Sequence, residues 1–331
     1  MAKLKSFSIQ YPLGKKLKIT STLFIVIDYL CPMHDELVNL RINFSEDALA
    51  ALNFALAFIM FGIALNLRKS DFKALFQSQT AAIVGLLSQY LMLPALTVLL
   101  IYILKPSPYL SLGMILIAAC PGGNVSNFFS HHAKGNVALS VALSMVSTLG
   151  AFLFTPLLFG FWGSILPETQ VLLKTVDISF LKLVKIILTI LVIPVIIGMA
   201  FYKKWPLLTE KLRKPISIIS FLILIGIILG GLLANTEIFK EYYHRVVYLV
   251  FAHNGLALII AFLLGVVTGI GKASTKTVTI ETGIQNSGLG LVLVFNFFDA
   301  NGAMAIITAW WGIWHIISGF TLSQVFRKYY C

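Results

Sequence analysis

The chain has 331 residues, of which 58% are hydrophobic and 11% charged, against roughly 25% charged in an ordinary soluble domain. That composition excludes a water-soluble globule, and at about 20 apolar residues per membrane helix the length accommodates about ten crossings with no separate soluble domain. The net charge of +12 would suit nucleic acid, but the 25 Lys and Arg fall in short clusters between apolar runs, where they set topology instead. Cys31, Cys120 and Cys331 have no metal or disulfide spacing. The expectation is one multi-pass membrane domain over 1–331 that contacts lipid and no nucleic acid.

The first 20 residues carry Lys3, Lys5, Lys15, Lys16 and Lys18 without an acid, followed by an apolar run at 19–31. The pattern resembles a signal peptide, but the run ends in Asp28, Cys31 and Pro32 and not in small cleavage-site residues, which favours a short first span or an interfacial helix. Clearer apolar runs follow at 47–67, 76–104, 109–129, 136–161, 178–202, 216–233, 246–270, 275–298 and 302–326. With about ten spans and both ends inside, the N-terminal lysines, Arg68, Lys69, Lys73, Lys134, the 203–214 cluster, Lys272, Lys276, Arg327 and Lys328 face the cytoplasm, and fewer cations face outward.

Two runs break their own helical pattern in matching places. The fourth contains Pro121-Gly122-Gly123 and the ninth Gly283 followed by Gly288 and Gly290. Each is followed by a small loop, Lys134-Gly135-Asn136 or Ala300-Asn301-Gly302, and then by a long span. About five spans per half, an odd number, require the second copy to be inserted upside down, which predicts an inverted-topology repeat.

A Pro-Gly-Gly inside a span frees backbone groups that lipid cannot satisfy, so it persists only where protein, water or a ligand fills the gap. A packing kink is the plain alternative. Here the break runs into Asn124, Ser126 and Asn127, side chains with hard oxygens at the start of a new half-helix, whose amides carry partial positive charge. Glu281 is the acid deep within a clearly apolar span, at a cost of at least a few kcal/mol if unneutralised. Lys272 and Lys276 lie toward the cytoplasmic mouth, which leaves a proton or a bound cation, with a buried polar cluster as the structural alternative. Thr282, Gln285, Asn286 and Ser287 surround the glycine break, and oxygen-only donors suit sodium better than zinc or copper.

Other signals are weaker. Gly271-Lys272 lacks the rest of a phosphate-binding loop, since Val266 stands at the first glycine position and Ala273 follows the lysine. His131-His132 reads as a solvated loop pair, Gly226 and Gly230 as a helix-packing pair, and His253 and His315 as residues lining a cavity or as hydrogen-bonded structural histidines. Without a nucleophile–base pair or metal triad in the spans, an enzyme is not expected.

The run from Cys120 to Asn127, the segment Ala133 to Val141, Ser147-Thr148-Leu149, and Glu281-Thr282-Gly283-Ile284-Gln285-Asn286-Ser287-Gly288-Leu289 together resemble the bile acid:sodium symporter family. The resemblance implies an all-α membrane protein of about ten helices in two inverted five-helix repeats, with broken helices four and nine crossing at mid-membrane. It implies a core (about 76–161 and 246–326) and a panel (about 19–67 and 178–233). It implies one sodium site from Ser126, Asn127, Ser140, Ser144 and Glu281, and a second from Gln89, Glu281 and Gln285 with the carbonyls of Thr282 and Ile284. Asn124, Asn286 and His315 match substrate-facing positions. Ser144 stands where many members have threonine and Asn124 where several do, departures that bear on site affinity and on the pocket. The implied activity is import of an organic anion, bile-acid-like or a small carboxylate, with two sodium ions across the plasma or inner membrane. A proton-coupled or arsenite-type permease, using Glu281 or Cys120, and a non-transporting receptor are the alternatives.

Overall fold

A computed structural model describes residues 42, 46–176, 179–234 and 236–330. The apolar run at 19–31 lies outside them. Among the described residues the regular elements are all helices, joined by short turns and loops and by one isolated backbone bridge, and six of these helices are long and apolar enough to cross a membrane.

Helix α1 is Glu46–Ala64, and α2 is Gln79–Leu104. Pro94 has no N–H to continue the ladder and would crowd the carbonyl of Tyr90 in a regular helix. The ladder widens there into a π turn over Ser88–Met92, with the Leu93 N–H donating to the Ser88 carbonyl. Then come α3 (Pro108–Ala119), α4 (Val125–His132) and α5 (Val137–Gly163). The short amphipathic α6 (Pro167–Thr175) leads to α7 (Phe180–Lys204), which carries its own π turn ahead of Pro194. Helices α8 (Pro206–Ala234) and α9 (Thr236–Val267) follow, then α10 (Lys272–Gly283), α11 (Ser287–Phe297) and α12 (Gly302–Tyr329).

The helices extend past several apolar runs. Most of the basic 203–214 cluster, expected between spans, is helical, in the last turn of α7 and the first turns of α8, with the path broken at Trp205. Long cationic side chains tolerate such helix ends because their heads reach polar surroundings while their stems cover apolar surface.

Where the fourth and ninth runs were expected to break, the structure has helix pairs, α3/α4 and α10/α11. Each pair is followed by a left-handed loop residue, Lys134 (φ 54°) or Asp299 and Ala300 (φ 48° and 51°). An asparagine then caps the next long helix: Asn136 Oδ1 accepts from the Leu139 N–H at 3.1 Å and Asn301 Oδ1 from the Met304 N–H at 3.1 Å.

Helix α1 packs on α7 and α8, α9 runs along α10, and α12 lies against α3, α9 and α11. A Cβ on Gly62 would stand 2.8 Å from Ile216 Cγ2, and one on Gly198 2.6 Å from Ala64 Cβ, so both glycines set the approach of their helices to a neighbour. The pair Gly226 and Gly230 differs from expectation: nothing among the described residues lies within 4 Å of a Cβ at either position. The outside is apolar, and a group of polar side chains is buried instead within a largely apolar interior. Leu181, Leu222 and Val267 project outward at 74%, 62% and 83% exposure, while Gln89, Ser126, Ser140, Glu281 and Gln285 are buried. Hydrocarbon around the protein accounts for that inversion.

Candidate ion and anion site

The two helix breaks meet. Helix α3 ends at Ala119, Cys120 is extended, and the chain passes through Pro121-Gly122-Gly123 into α4. Helix α10 ends at Gly283, Ile284 is extended, and α11 starts at Ser287. Gly122 and Gln285 form an antiparallel bridge. The Gly123 N–H donates to the Ile284 carbonyl at 2.7 Å and the Asn286 N–H to the Pro121 carbonyl at 2.8 Å. Each break thus supplies backbone partners that the other has lost. Glycine is required for this approach, because a Cβ on Gly123 would stand 3.0 Å from the Gln285 carbonyl oxygen.

Glu281 sits one turn before the α10 break, 2% exposed. Ser140 Oγ donates to Glu281 Oε2 at 2.8 Å, and Ser144 Oγ donates to Glu281 Oε1. Ser126 Oγ lies 3.4 Å from Ser144 Oγ, and Ser144 Oγ lies 3.5 Å from Asn127 Oδ1. All five residues read from the sequence as the first ion set therefore come together, from α4, α5 and α10. They offer one carboxylate and neutral oxygens, a donor set suited to a hard monovalent cation. The residues that hold Glu281 are hydroxyls, with no basic side chain among them. Lys276 is itself buried, at 4% exposure, with Nζ donating to the Ala133 carbonyl at 3.1 Å. It was expected toward the cytoplasmic mouth, and its head binds the carbonyl that follows the last residue of α4.

Gln89, on the π turn of α2, and Glu281 both lie against Gly122. A Cβ on Gly122 would stand 3.0 Å from Glu281 Oε1 and 3.4 Å from Gln89 Nε2. Gln285 Nε2 donates to the Thr282 carbonyl at 2.9 Å. The Thr282 and Ile284 carbonyls each keep a second lone pair beyond these bonds. Gln89 Nε2, Gln285 Oε1 and Asn254 Oδ1 are buried without a hydrogen-bond partner among the described residues. Orphaned groups of this kind cost about 1–3 kcal/mol each, and a cation would serve the Gln285 oxygen.

Asn286 caps α11, its Oδ1 accepting from the Leu289 N–H at 3.0 Å, while its buried Nδ2 has no partner among the described residues. His315 is buried on α12, and its Nδ1 likewise has no partner among the described residues. It lies one turn beyond Gly312, where a Cβ would stand 2.6 Å from Ser287 Oγ, so this stretch of α12 runs beside the start of α11. Asn124 is half-buried at the N-terminus of α4 and makes no side-chain cap. Cys120 is packed 3.8 Å from a Cβ position on Gly290.

Three features escaped the sequence reading. Thr282 Oγ1 donates to Ser88 Oγ at 2.9 Å, Asn254 Nδ2 donates to the Gly283 carbonyl at 2.7 Å, and His253 Nε2 lies 2.6 Å from Thr97 Oγ1. Thr282, Gly283 and His253 stand out in the sequence but their partners Ser88, Asn254 and Thr97 do not, because a lone Ser, Thr or Asn in an apolar run carries no spacing signal. His132, expected in a solvated loop, ends α4 and pairs its Nδ1 with Ser323 Oγ at 3.0 Å, stacked between Phe128 and Phe320.

Two broken helices crossed beside a buried carboxylate, inside an apolar-surfaced helical bundle, define a membrane transporter site. Residues 53–241 match the sodium bile acid symporter family. The chain is 31% identical over 277 residues to an uncharacterized sodium-dependent transporter, YocS, of Bacillus subtilis, covering 82% of each chain. It is 31% identical over 280 residues to a probable chloroplastic sodium/metabolite cotransporter of Oryza sativa, covering 82% of this chain and 63% of that one. A sodium-dependent organic anion transporter of Bos taurus is 27% identical over 258 residues, covering 74% and 64%. The chain thus spans less than two thirds of the rice and bovine relatives. It belongs to the sodium bile acid symporter family, a family of sodium-dependent membrane transporters and not of enzymes.

Proposed function

We propose that this protein is a symporter that imports an organic anion, a bile-acid-like molecule or small carboxylate, together with two sodium ions across the plasma or inner membrane. One ion is held by Ser126, Asn127, Ser140, Ser144 and Glu281. The other is held by Gln89, Glu281, Gln285 and the carbonyls of Thr282 and Ile284. The anion sits beside Asn124, Asn286 and His315, where amide and imidazole donors and two half-helix N-termini meet without an arginine.

The observation that carries this reading is Glu281, a buried carboxylate whose partners are serine hydroxyls from another helix. Its charge calls for cations, and oxygen donors from both broken helices surround it. On this reading about ten spans form two inverted halves. A core of about 76–161 and 246–326 moves against a panel of about 19–67 and 178–233, exposing the crossing to each side in turn.

Sodium would bind first and fix the crossing, and the fixed crossing would then bind the anion, which links the two affinities reciprocally. The test is a screen of organic anions for thermal stabilisation of the purified protein with and without sodium, followed by uptake of the best anion in liposomes. Stabilisation that needs sodium, and uptake driven by an inward sodium gradient, are expected. Anion stabilisation indifferent to sodium overturns the coupling, and sodium-coupled binding without uptake or counterflow leaves a receptor.

A further inference from the structure

The break after α10 is held from the side by a helix that takes no part in the crossing. Gly283 is the last residue of α10 and lies between Thr282 and Ile284, whose carbonyls face the second proposed ion. Its own carbonyl, freed by the break, accepts from Asn254 Nδ2 of α9 at 2.7 Å. The contact depends on Gly283 having no side chain, because a Cβ there would stand 2.9 Å from Leu258 Cγ, one turn along α9 from Asn254. Asn254 is fully buried, and its Oδ1 has no partner among the described residues.

The rotation of α9 at this level is fixed by the preceding residue. His253 Nε2 lies 2.6 Å from Thr97 Oγ1 on α2, and its ring meets Trp311 of α12 edge to face at 4.7 Å. Thr97 Oγ1 also donates to the Leu93 carbonyl at 2.7 Å, so the imidazole Nε2 is the donor toward Thr97. Two helices, α2 and α12, therefore pin α9 where the Asn254 amide must stand to hold the Gly283 carbonyl.

We propose that Asn254 is a positioning residue for the second sodium site: its amide latches the Gly283 carbonyl and so fixes the peptide planes on either side that aim the Thr282 and Ile284 carbonyls at the ion. The inference rests on the two-site reading above. Turning the Gly283 carbonyl rotates its neighbours, since adjacent peptide planes share the φ and ψ of one residue. The five oxygen-bearing residues of the first site lie on α4, α5 and on α10 before its break, and are not linked to Asn254. Loss of the latch should therefore weaken one ion and spare the other.

The experiment is a sodium titration of the purified full-length protein, read by thermal stabilisation and by sodium-dependent fluorescence, for wild type, Asn254→Ala, Asn254→Asp, Gln89→Ala and Glu281→Gln. Asn254→Ala should raise the sodium midpoint roughly three- to tenfold, the worth of one buried hydrogen bond, and lower the Hill slope toward one, as Gln89→Ala does. Asn254→Asp keeps shape and volume but loses the donor, so it should behave like Asn254→Ala, and it carries the test should the alanine variant fail to fold. A wild-type midpoint and slope in Asn254→Ala, with melting in sodium-free buffer merely lowered, makes Asn254 structural and overturns the proposal. Tighter sodium binding in Asn254→Asp also overturns it, because the side-chain oxygen would then be the active atom. If Gln89→Ala and Glu281→Gln also titrate like wild type, the two-site reading fails instead.

Discussion

Replacing Glu281 by Gln preserves the side chain's shape and its reach to Ser140 and Ser144 while removing the one charge in the cluster. Glu281→Gln should reach the membrane in normal amount and lose sodium-driven uptake entirely. Normal sodium-coupled uptake in that variant would sink the scheme in which both ions share this carboxylate. Asn286 allows the anion to be tested separately. Its Oδ1 caps α11 and its Nδ2 is spare, so Asn286→Asp keeps the cap and replaces the donor with negative charge. Anion affinity should fall at least roughly tenfold while the sodium midpoint moves less than about twofold. A titration in which sodium affinity falls and anion affinity does not would remove Asn286 from the anion pocket. At this scale the sequence was informative wherever chemistry stood in a motif: Glu281, Ser126, Ser140 and Gln285 all point into one cluster. Asn254 and Ser88 were invisible because their partners, a carbonyl of α10 and a hydroxyl of α10, are far away in sequence.

The breaks themselves are stabilised by being matched. Helix α4 and helix α11 start where α3 and α10 stop, and the two interruptions share a pair of backbone hydrogen bonds. Gly123→Ala forces a Cβ to within 3.0 Å of the Gln285 carbonyl oxygen and 3.2 Å of Ile284 Cγ2. Such crowding costs typically 1–3 kcal/mol, and here it must separate the crossing. The variant should melt lower and lose sodium-dependent stabilisation, whereas Gly160→Ala, with nothing within 4 Å of its Cβ, should change neither. A Gly123→Ala protein with full sodium stabilisation would show that the crossing need not be this tight. Both breaks were legible from glycine and proline inside apolar runs. The amphipathic α6 and the helical start of α8 were not, because charge and short length hid helices that tertiary contacts and interfacial side chains sustain.

For the molecule as a whole, net charge decides how transport responds to the membrane potential. Two cations gathered around one carboxylate exceed a monovalent anion by one charge, so each import cycle should carry inward positive current. One charge is worth about 2.3 kcal/mol per 100 mV, or roughly fiftyfold accumulation at that potential. On the proposed scheme sodium also pre-orders the crossing. The Gln285 side-chain oxygen is buried with no partner among the described residues and a cation would satisfy it, so anion affinity should fall steeply without sodium. The measurement uses liposomes with the potential clamped by potassium and valinomycin, given externally the monovalent anion that produces the largest sodium-dependent stabilisation. Uptake should rise steeply as the interior is made negative. Indifference to potential would exclude two sodium ions per monovalent anion, and equal uptake driven by a proton gradient in sodium-free buffer would assign Glu281 to a proton instead of sodium.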